Sequence, residues 1–373
     1  MVYLLACRQF RGTSPDLHNS RHTMNFASDN WAGAHPAIAS ALSDHAAGFA
    51  AAYGTSTLDQ RIERLFNEVF EREVAVYFVA TGTAANALSM TALARPGGVG
   101  FAHAEAHMLE DECGAPEYFT GGMRMVGVPG SLGRIDPARL DAAIRRYPEG
   151  FVHSGRPVAV SITQATEIGT VYSLDQIDAV ADVARRHKLP LHMDGARFAN
   201  ALVRLGCSPA EMTWKRGVDI LSFGGTKNGC WCAEAIVVFR PELAADMPFL
   251  RKRAAQLFSK TRFVSAQFEA YFAADLWLDS ARHANDMAAR LADIIEAAPS
   301  LRLAWQAEAN ELFPVMDRAT ADRLHAAGAL FNSWRKPSSH ADALRDDEAI
   351  YRLVTSFATT ADEIQRFAAL VGA

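Results

Sequence analysis

Leu221-Ser222-Phe223-Gly224-Gly225-Thr226-Lys227-Asn228-Gly229 is the stretch that decides how this chain is read. An apolar strand stops at Phe223, and a Gly-rich turn then presents a single lysine, Lys227. Upstream, the apolar run Leu189 to Met193 ends at Asp194 and continues as Asp194-Gly195-Ala196-Arg197. One strand end offers an amine and the other a carboxylate, separated by about one βαβ unit. A phosphate-binding P-loop is excluded, because its lysine is followed by Ser or Thr and here Asn228 follows. The pair suits pyridoxal phosphate (PLP): the lysine holds the cofactor covalently, and the aspartate keeps its ring nitrogen protonated.

Working outward, strands alternate with helical segments. Val74–Val79, Val158–Ile162, 189–193, Asp219–Phe223 and Ala235–Phe239 read as short buried strands. Thr57-Leu58-Asp59-Gln60 reads as a capping box that opens a helix with Ile62, Leu65, Phe66 and Val69 on one face. Ser173-Leu174-Asp175-Gln176 caps another helix, running to about His187, and Asp136-Pro137 starts a third. Thr81-Gly82-Thr83 turns directly from a strand into an Ala-rich helix, whose N-terminus would suit a phosphate. Residues 70–240 therefore predict an α/β fold with a largely parallel sheet, in which ligands bind at the carboxyl ends of strands. From about 264 the pattern becomes long and helical, with a short strand at Tyr351–Val354 and a last helix from Ala361. We expect a PLP-binding large domain over 24–245 and a smaller α+β domain over 246–373.

At 373 residues, with 50% hydrophobic and 21% charged residues, the chain has the composition of a soluble globular protein large enough for two domains. A net charge of −5 and the absence of zinc spacings or RNA-binding motifs argue against a nucleic-acid partner or a metal site. No apolar run approaches the ~18 residues of a membrane span. Five cysteines without a CxxC fit a reduced, cytoplasmic protein. Residues 1–23 are rich in Arg, His, Ser and Asn, with Asp16 as the only acid. They have the composition of a transit peptide, and are read here as an extension ahead of a start at Met24.

His192-Met193-Asp194-Gly195-Ala196-Arg197-Phe198-Ala199-Asn200-Ala201 closely resembles the HxDGARxxNA signature of the low-specificity L-threonine aldolases. These are fold-type I PLP enzymes of the aspartate aminotransferase superfamily. The resemblance runs from about Asn25 to the C-terminus. It takes in Tyr53-Gly54, Thr81-Gly82-Thr83, Ala106-His107, the DGAR unit, the lysine loop and Arg352-Leu353-Val354-Thr355, in family order. It implies that Lys227 carries the cofactor, that Asp194 meets the ring nitrogen, and that Thr81, Gly82 and Thr83 hold the phosphate. It implies that His107 stacks on the ring, where it could also serve as a base or orient a water. Arg197 and Arg352 would bind the substrate α-carboxylate, with Ser28 and Tyr53 also at the substrate. Arg262 resembles an arginine that reaches the phosphate from a neighbouring subunit, and Tyr53 would likewise come from a neighbour. A homodimer or homotetramer with interfacial sites is therefore expected.

The implied reaction is retro-aldol cleavage of L-β-hydroxy-α-amino acids, such as L-threonine, L-allo-threonine or phenylserine, to glycine and an aldehyde. A PLP-dependent β-eliminating lyase or dehydratase is the alternative within this chemistry, and a non-catalytic PLP-fold binding protein the alternative outside it. The chain departs from the family pattern at two places. Where many members carry Thr-His-Asn-Arg, it has Thr163-Gln164-Ala165-Thr166 followed by Glu167, so Gln164 is expected in the histidine's place. The aromatic four residues after the stacking histidine is replaced by Asp111.

Overall fold

A computed structural model describes residues 23–338, 340 and 344–373. The expected N-terminal extension, Thr23 apart, and Cys7 within it lie outside the described residues. The centre is a seven-stranded sheet of β1 (Ala75–Val79), β2 (Gly98–His103), β3 (Arg124–Val128), β4 (Arg156–Thr163), β5 (Leu191–Gly195), β6 (Ile220–Gly224) and β7 (Glu234–Val238). The strand order is β1-β7-β6-β5-β4-β2-β3. The five strands from β6 to β3 pair in parallel, whereas β7 is antiparallel to both its neighbours. β1 therefore points the same way as β6, and the carboxyl ends of β1, β5 and β6 share one edge with the start of β7. Every residue of β5, β6 and β7 is buried, which is why these strands read as continuous apolar runs rather than alternating ones.

Helices cover the sheet. α1 (Thr57–Val69), α2 (Gly82–Leu93), α3 (Leu174–Arg186), α4 (Phe198–Leu205) and α5 (Arg262–Phe272) belong to this layer. The capping box of α1 sits one residue earlier than the sequence suggests. Ser56 is the extended cap residue, and its hydroxyl accepts from the Asp59 amide while Asp59 accepts from the Ser56 amide. Thr57 is already helical, so Ser56 fills the role. On one side of the sheet Phe66 packs edge to face on Phe223, Phe268 and Phe272, and Phe70 packs edge to face on Phe223. Each such ring is worth roughly 1.5–3 kcal/mol of burial.

α5 lies beyond residue 245, yet its Val264, Phe268 and Phe272 belong to the same core as Phe66 and Phe223. The following helix α6 (Leu276–Ala297) bridges two cores. Trp277 and Ala281 pack into the first, while Met287, Leu291 and Ile295 pack into a second. That second core also takes Met24 and Phe26 from the start of the described chain, and Phe367 from the last helix α7 (Ala361–Val371). A small antiparallel sheet built on Glu348–Val354 completes it, with Asn332–Trp334 and Pro314–Asp317 on its flanks. Met24–Asn25 forms a short parallel pair with Ala329–Leu330, so the chain enters at its small lobe before it builds the large one.

Candidate active site

The sheet edge brings the two decisive motifs together by direct backbone contact. A Cβ on Gly224 would lie 2.6 Å from the carbonyl oxygen of Ala196, and one on Gly195 would lie 2.8 Å from that of Ser222. Glycine in the DGAR turn and in the lysine loop thus lets two main chains touch. Lys227 sits in a single 3-10 turn, Thr226–Asn228, at the end of β6. Asn228 anchors that turn by donating to the Tyr271 hydroxyl and the Trp277 carbonyl, both at 2.8 Å. Among the described residues the Lys227 amine has no hydrogen bond or ion pair, so it is free to react.

Asp194 is buried at the end of β5. It accepts from Asn86 Nδ2 at 2.8 Å and from the Ala196 amide at 3.0 Å. Both donors are neutral, and among the described residues Asp194 makes no ion pair. A buried carboxylate in that state is best satisfied by a cation, which is what a protonated ring nitrogen supplies. Asn86 Nδ2 also donates to Glu112 Oε1 at 2.8 Å, and His107 Nδ1 lies 2.9 Å from that same oxygen. Burial works against the charge on His107. The Glu112 hydrogen bond and then the Glu167 charge outweigh it and raise His107 to about 9. The histidine is therefore an imidazolium at neutral pH. Its side chain is one-third exposed and offers a ring face, but a protonated histidine is no base.

Thr81 caps α2 by accepting from the Ala84 amide, leaving the amides of Gly82 and Thr83 without partners inside the helix. The space before Gly82 is open, since a Cβ there would meet nothing within 4 Å. A phosphate fits this helix N-terminus on charge and on donor geometry. The lysine, the unpaired carboxylate and this cradle lie along one sheet edge and fit PLP.

β5 runs on to Gly195, and Arg197, two residues further, stands at the N-cap of α4. Its partner is Asp29, which it grips in bidentate fashion at 2.7 and 3.0 Å, and its Nη1 lies 3.2 Å from Glu311. Arg352 approaches the other Glu311 oxygen at 3.7 Å and stacks over the Trp334 ring at 4.5 Å. Its buried Nε has no hydrogen-bond partner. Burial pushes Glu311 up, and the two arginines only partly offset this, so it sits at about 7. Two guanidinium groups thus face two carboxylates, Asp29 and Glu311. The buried Nε that Arg352 leaves unpartnered suits a substrate carboxylate.

Gln164 is corrected by the fold. It is fully buried, and its amide clamps the Tyr172 backbone, donating to the carbonyl and accepting from the N–H, both at 2.9 Å. It is turned inward, whereas Glu167, three residues on, lines two cavities, one with Asp111 and Trp334 and one with His103 and Thr163. Gln164→Leu is expected to leave two buried backbone groups unpaired and to cost roughly 1–3 kcal/mol for each. The check is chemical denaturation of the cofactor-free protein, in which the midpoint drops.

Ser28 caps the 3-10 turn Asp29–Trp31, so the neighbour of the arginine's main partner is itself structural here. Tyr53 is half exposed beneath Lys252, and Arg262 reaches the Gly48 carbonyl. Neither bonds to the Lys227, Asp194 or Arg197 groups. Asp111 ends the short helix His107–Glu110 and lines an outer pocket with Glu105, Glu167, Trp334 and Arg335.

Sequence reasoning missed Asp29, Asn86, Glu112, Glu234 and Glu311. Glu234 opens the antiparallel β7 beside the lysine loop. It accepts from the Thr226 amide, and burial raises it to about 7. A signal existed for one of them, since Glu234 is an acid inside an apolar run. Among the described residues no His, Cys, Asp or Glu group is arranged to hold a metal, and no helix is long and apolar enough to cross a membrane.

A sheet edge that gathers a free lysine, a buried carboxylate awaiting a cation and an open helix N-terminus defines a fold-type I PLP-dependent enzyme. The chain belongs to the beta-eliminating lyase family, whose profile matches residues 25–319. It is 40% identical to the low specificity L-threonine aldolase of Pseudomonas aeruginosa over 311 residues, 83% of this chain and 89% of that protein. It is 39% identical to the low specificity L-threonine aldolase of Pseudomonas sp. (strain NCIMB 10558) over the same shares. The structure superposes on a threonine aldolase of Leishmania major with a TM-score of 0.85 at 28% identity, covering 93% of this chain and 98% of that one.

Proposed function

We propose that this lyase cleaves L-threonine, L-allo-threonine and related L-β-hydroxy-α-amino acids to glycine and an aldehyde. The observation that carries the reading is the pairing of Lys227 and Asp194 at one sheet edge with two buried arginines, one of which keeps an unpartnered Nε. When bound, PLP supplies the sink for the electron pair released from the Cα–Cβ bond. The chain supplies the rest. Lys227 holds the cofactor, Asp194 keeps its ring nitrogen protonated, the Thr81–Thr83 turn takes its phosphate, and His107 covers its ring. Arg197 and Arg352 fix the substrate carboxylate and so orient the bond to be broken.

The remaining features of the reading are an assembly and a place. Trp31, Tyr53 and Trp231 are large aromatics left about half or more exposed, which supports a homo-oligomer. Tyr53 and Arg262 would then serve a neighbour's site. Cys113, Cys207, Cys230 and Cys232 are all unpaired, which supports a reducing, cytoplasmic setting.

The test is to supply the PLP-loaded protein with L-threonine, L-allo-threonine, L-phenylserine and D-threonine and to identify products. Glycine and the matching aldehyde are expected from the three L-substrates, and none from D-threonine. A keto acid with ammonia would establish β-elimination instead.

A further inference from the structure

We infer that Glu167 is the base that takes the β-hydroxyl proton, a role that rests on the aldolase reading above. Glu167 follows β4 on the loop whose Gln164 is turned inward. It lines two cavities, one with Asp111 and with Trp334, whose ring Arg352 covers, and the other with His103 and with Thr163, which pairs in register with Asp194. Among the described residues its carboxylate has no hydrogen bond or ion pair.

The other acids of the site are committed. Asp194 accepts from Asn86 and Ala196, Glu112 from His107 and Asn86, Asp29 from Arg197 and Asn310, and Glu234 from the Thr226 amide. Glu311 lies between the two arginines. His107 is bound to Glu112, and that carboxylate holds it above its ordinary value, which makes it a poor acceptor. Glu105 and Asp111 remain, and both act on Arg335 at the outer rim instead. Glu105 is further tied to Ser338 through Oε1.

Position favours Glu167 for a second reason. Its charge acts on His107, which would cover the cofactor ring, and on Arg197 and Glu311, where the substrate carboxylate would sit. A substrate anchored at its carboxylate and its amine would project its β-hydroxyl into the space between those two groups.

The step balances without any further reagent. The hydroxyl proton moves to a Glu167 oxygen, and the O–H pair becomes the second bond of the aldehyde carbonyl. The Cα–Cβ bond breaks and its pair stays with Cα, where bound PLP would stabilise it. A proton then returns to Cα, giving glycine. A general base of this kind is worth about 10²–10⁴ in rate.

The experiment compares wild type, Glu167→Gln and Glu167→Asp as PLP-loaded enzymes. Three readings are taken: visible absorbance of bound cofactor, kcat for L-threonine cleavage, and exchange of the glycine α-proton in deuterated water. Glycine has no β-hydroxyl, so its exchange bypasses the proposed base. Glu167→Gln is expected to lose about 100-fold or more in kcat while keeping cofactor absorbance and glycine exchange, and Glu167→Asp to retain part of the cleavage. Cleavage near the wild-type level in Glu167→Gln would overturn the assignment. So would a parallel fall in cleavage and exchange, or loss of the cofactor absorbance. If wild type itself released no glycine from threonine, the aldolase reading would fail, and that result is visible before any variant is made.

Discussion

Lys227→Ala is expected to abolish glycine release and to remove the visible absorbance of covalently held PLP. The lysine is the one amine at the sheet edge aligned with Asp194 and the helix N-terminus, and a covalent attachment has no substitute among the neighbouring side chains. The same change should cost the cofactor-free protein little, because the amine makes no hydrogen bond or ion pair among the described residues and only its longer-range attraction to Asp29 is lost. Asn228, which anchors the loop through Tyr271 and Trp277, is untouched. Absorbance, borohydride trapping and thermal denaturation read the three outcomes separately. Cofactor that could still be trapped at the wild-type level would show that another lysine carries it.

Arg197→Leu is expected to be damaging in a different way. It removes a substrate anchor, and it also strands two buried carboxylates. Breaking a buried pair by removing one partner costs about 3–5 kcal/mol, so both stability and turnover should fall. Arg197→Lys separates the two effects. It keeps a charge near Asp29 but loses the fork that grips it, so KM should rise more than the denaturation midpoint falls. The pH dependence has a definite sign. Burial pushes Asp29 up, but the Arg197 charge and then that of Lys227 outweigh it and hold Asp29 below its ordinary 3.8. A depressed acid gives stability that is present above its unfolded value and lost as pH falls through the folded one. Wild type should therefore lose this contribution only below about pH 4, in acid titrations of the denaturation midpoint. Arg197→Leu should show no such loss in that window, because its Asp29 is no longer held down. An acid limb identical to that of wild type would refute the pairing.

Much of this protein is legible along the chain because its information is local. Strands that are buried on both faces must be apolar throughout, and the lysine and the aspartate must follow such strands directly. Lys227, Asp194 and the Thr81–Thr83 turn are therefore visible as breaks in hydrophobic runs. The capping box of α1 was legible to within one residue, since Ser56 and Thr57 have the same chemistry and only backbone angles separate them.

Tertiary structure decided what depends on partners distant in sequence. Arg197 meets Asp29 and Glu311 across separations of 168 and 114 residues, and no local pattern encodes such a contact. The proton on His107 depends on Glu112 and Glu167, one of them sixty residues away. Whether a loop residue faces the site is decided by packing: Gln164 is drawn inward because Tyr172 offers it both a donor and an acceptor, and Glu167 is left free. The sequence determined which chemistry this chain carries, because residue type and strand position are local properties. Which acid holds which base, and with what charge, was decided by the fold, because electrostatic energy depends on distance and burial rather than on order along the chain.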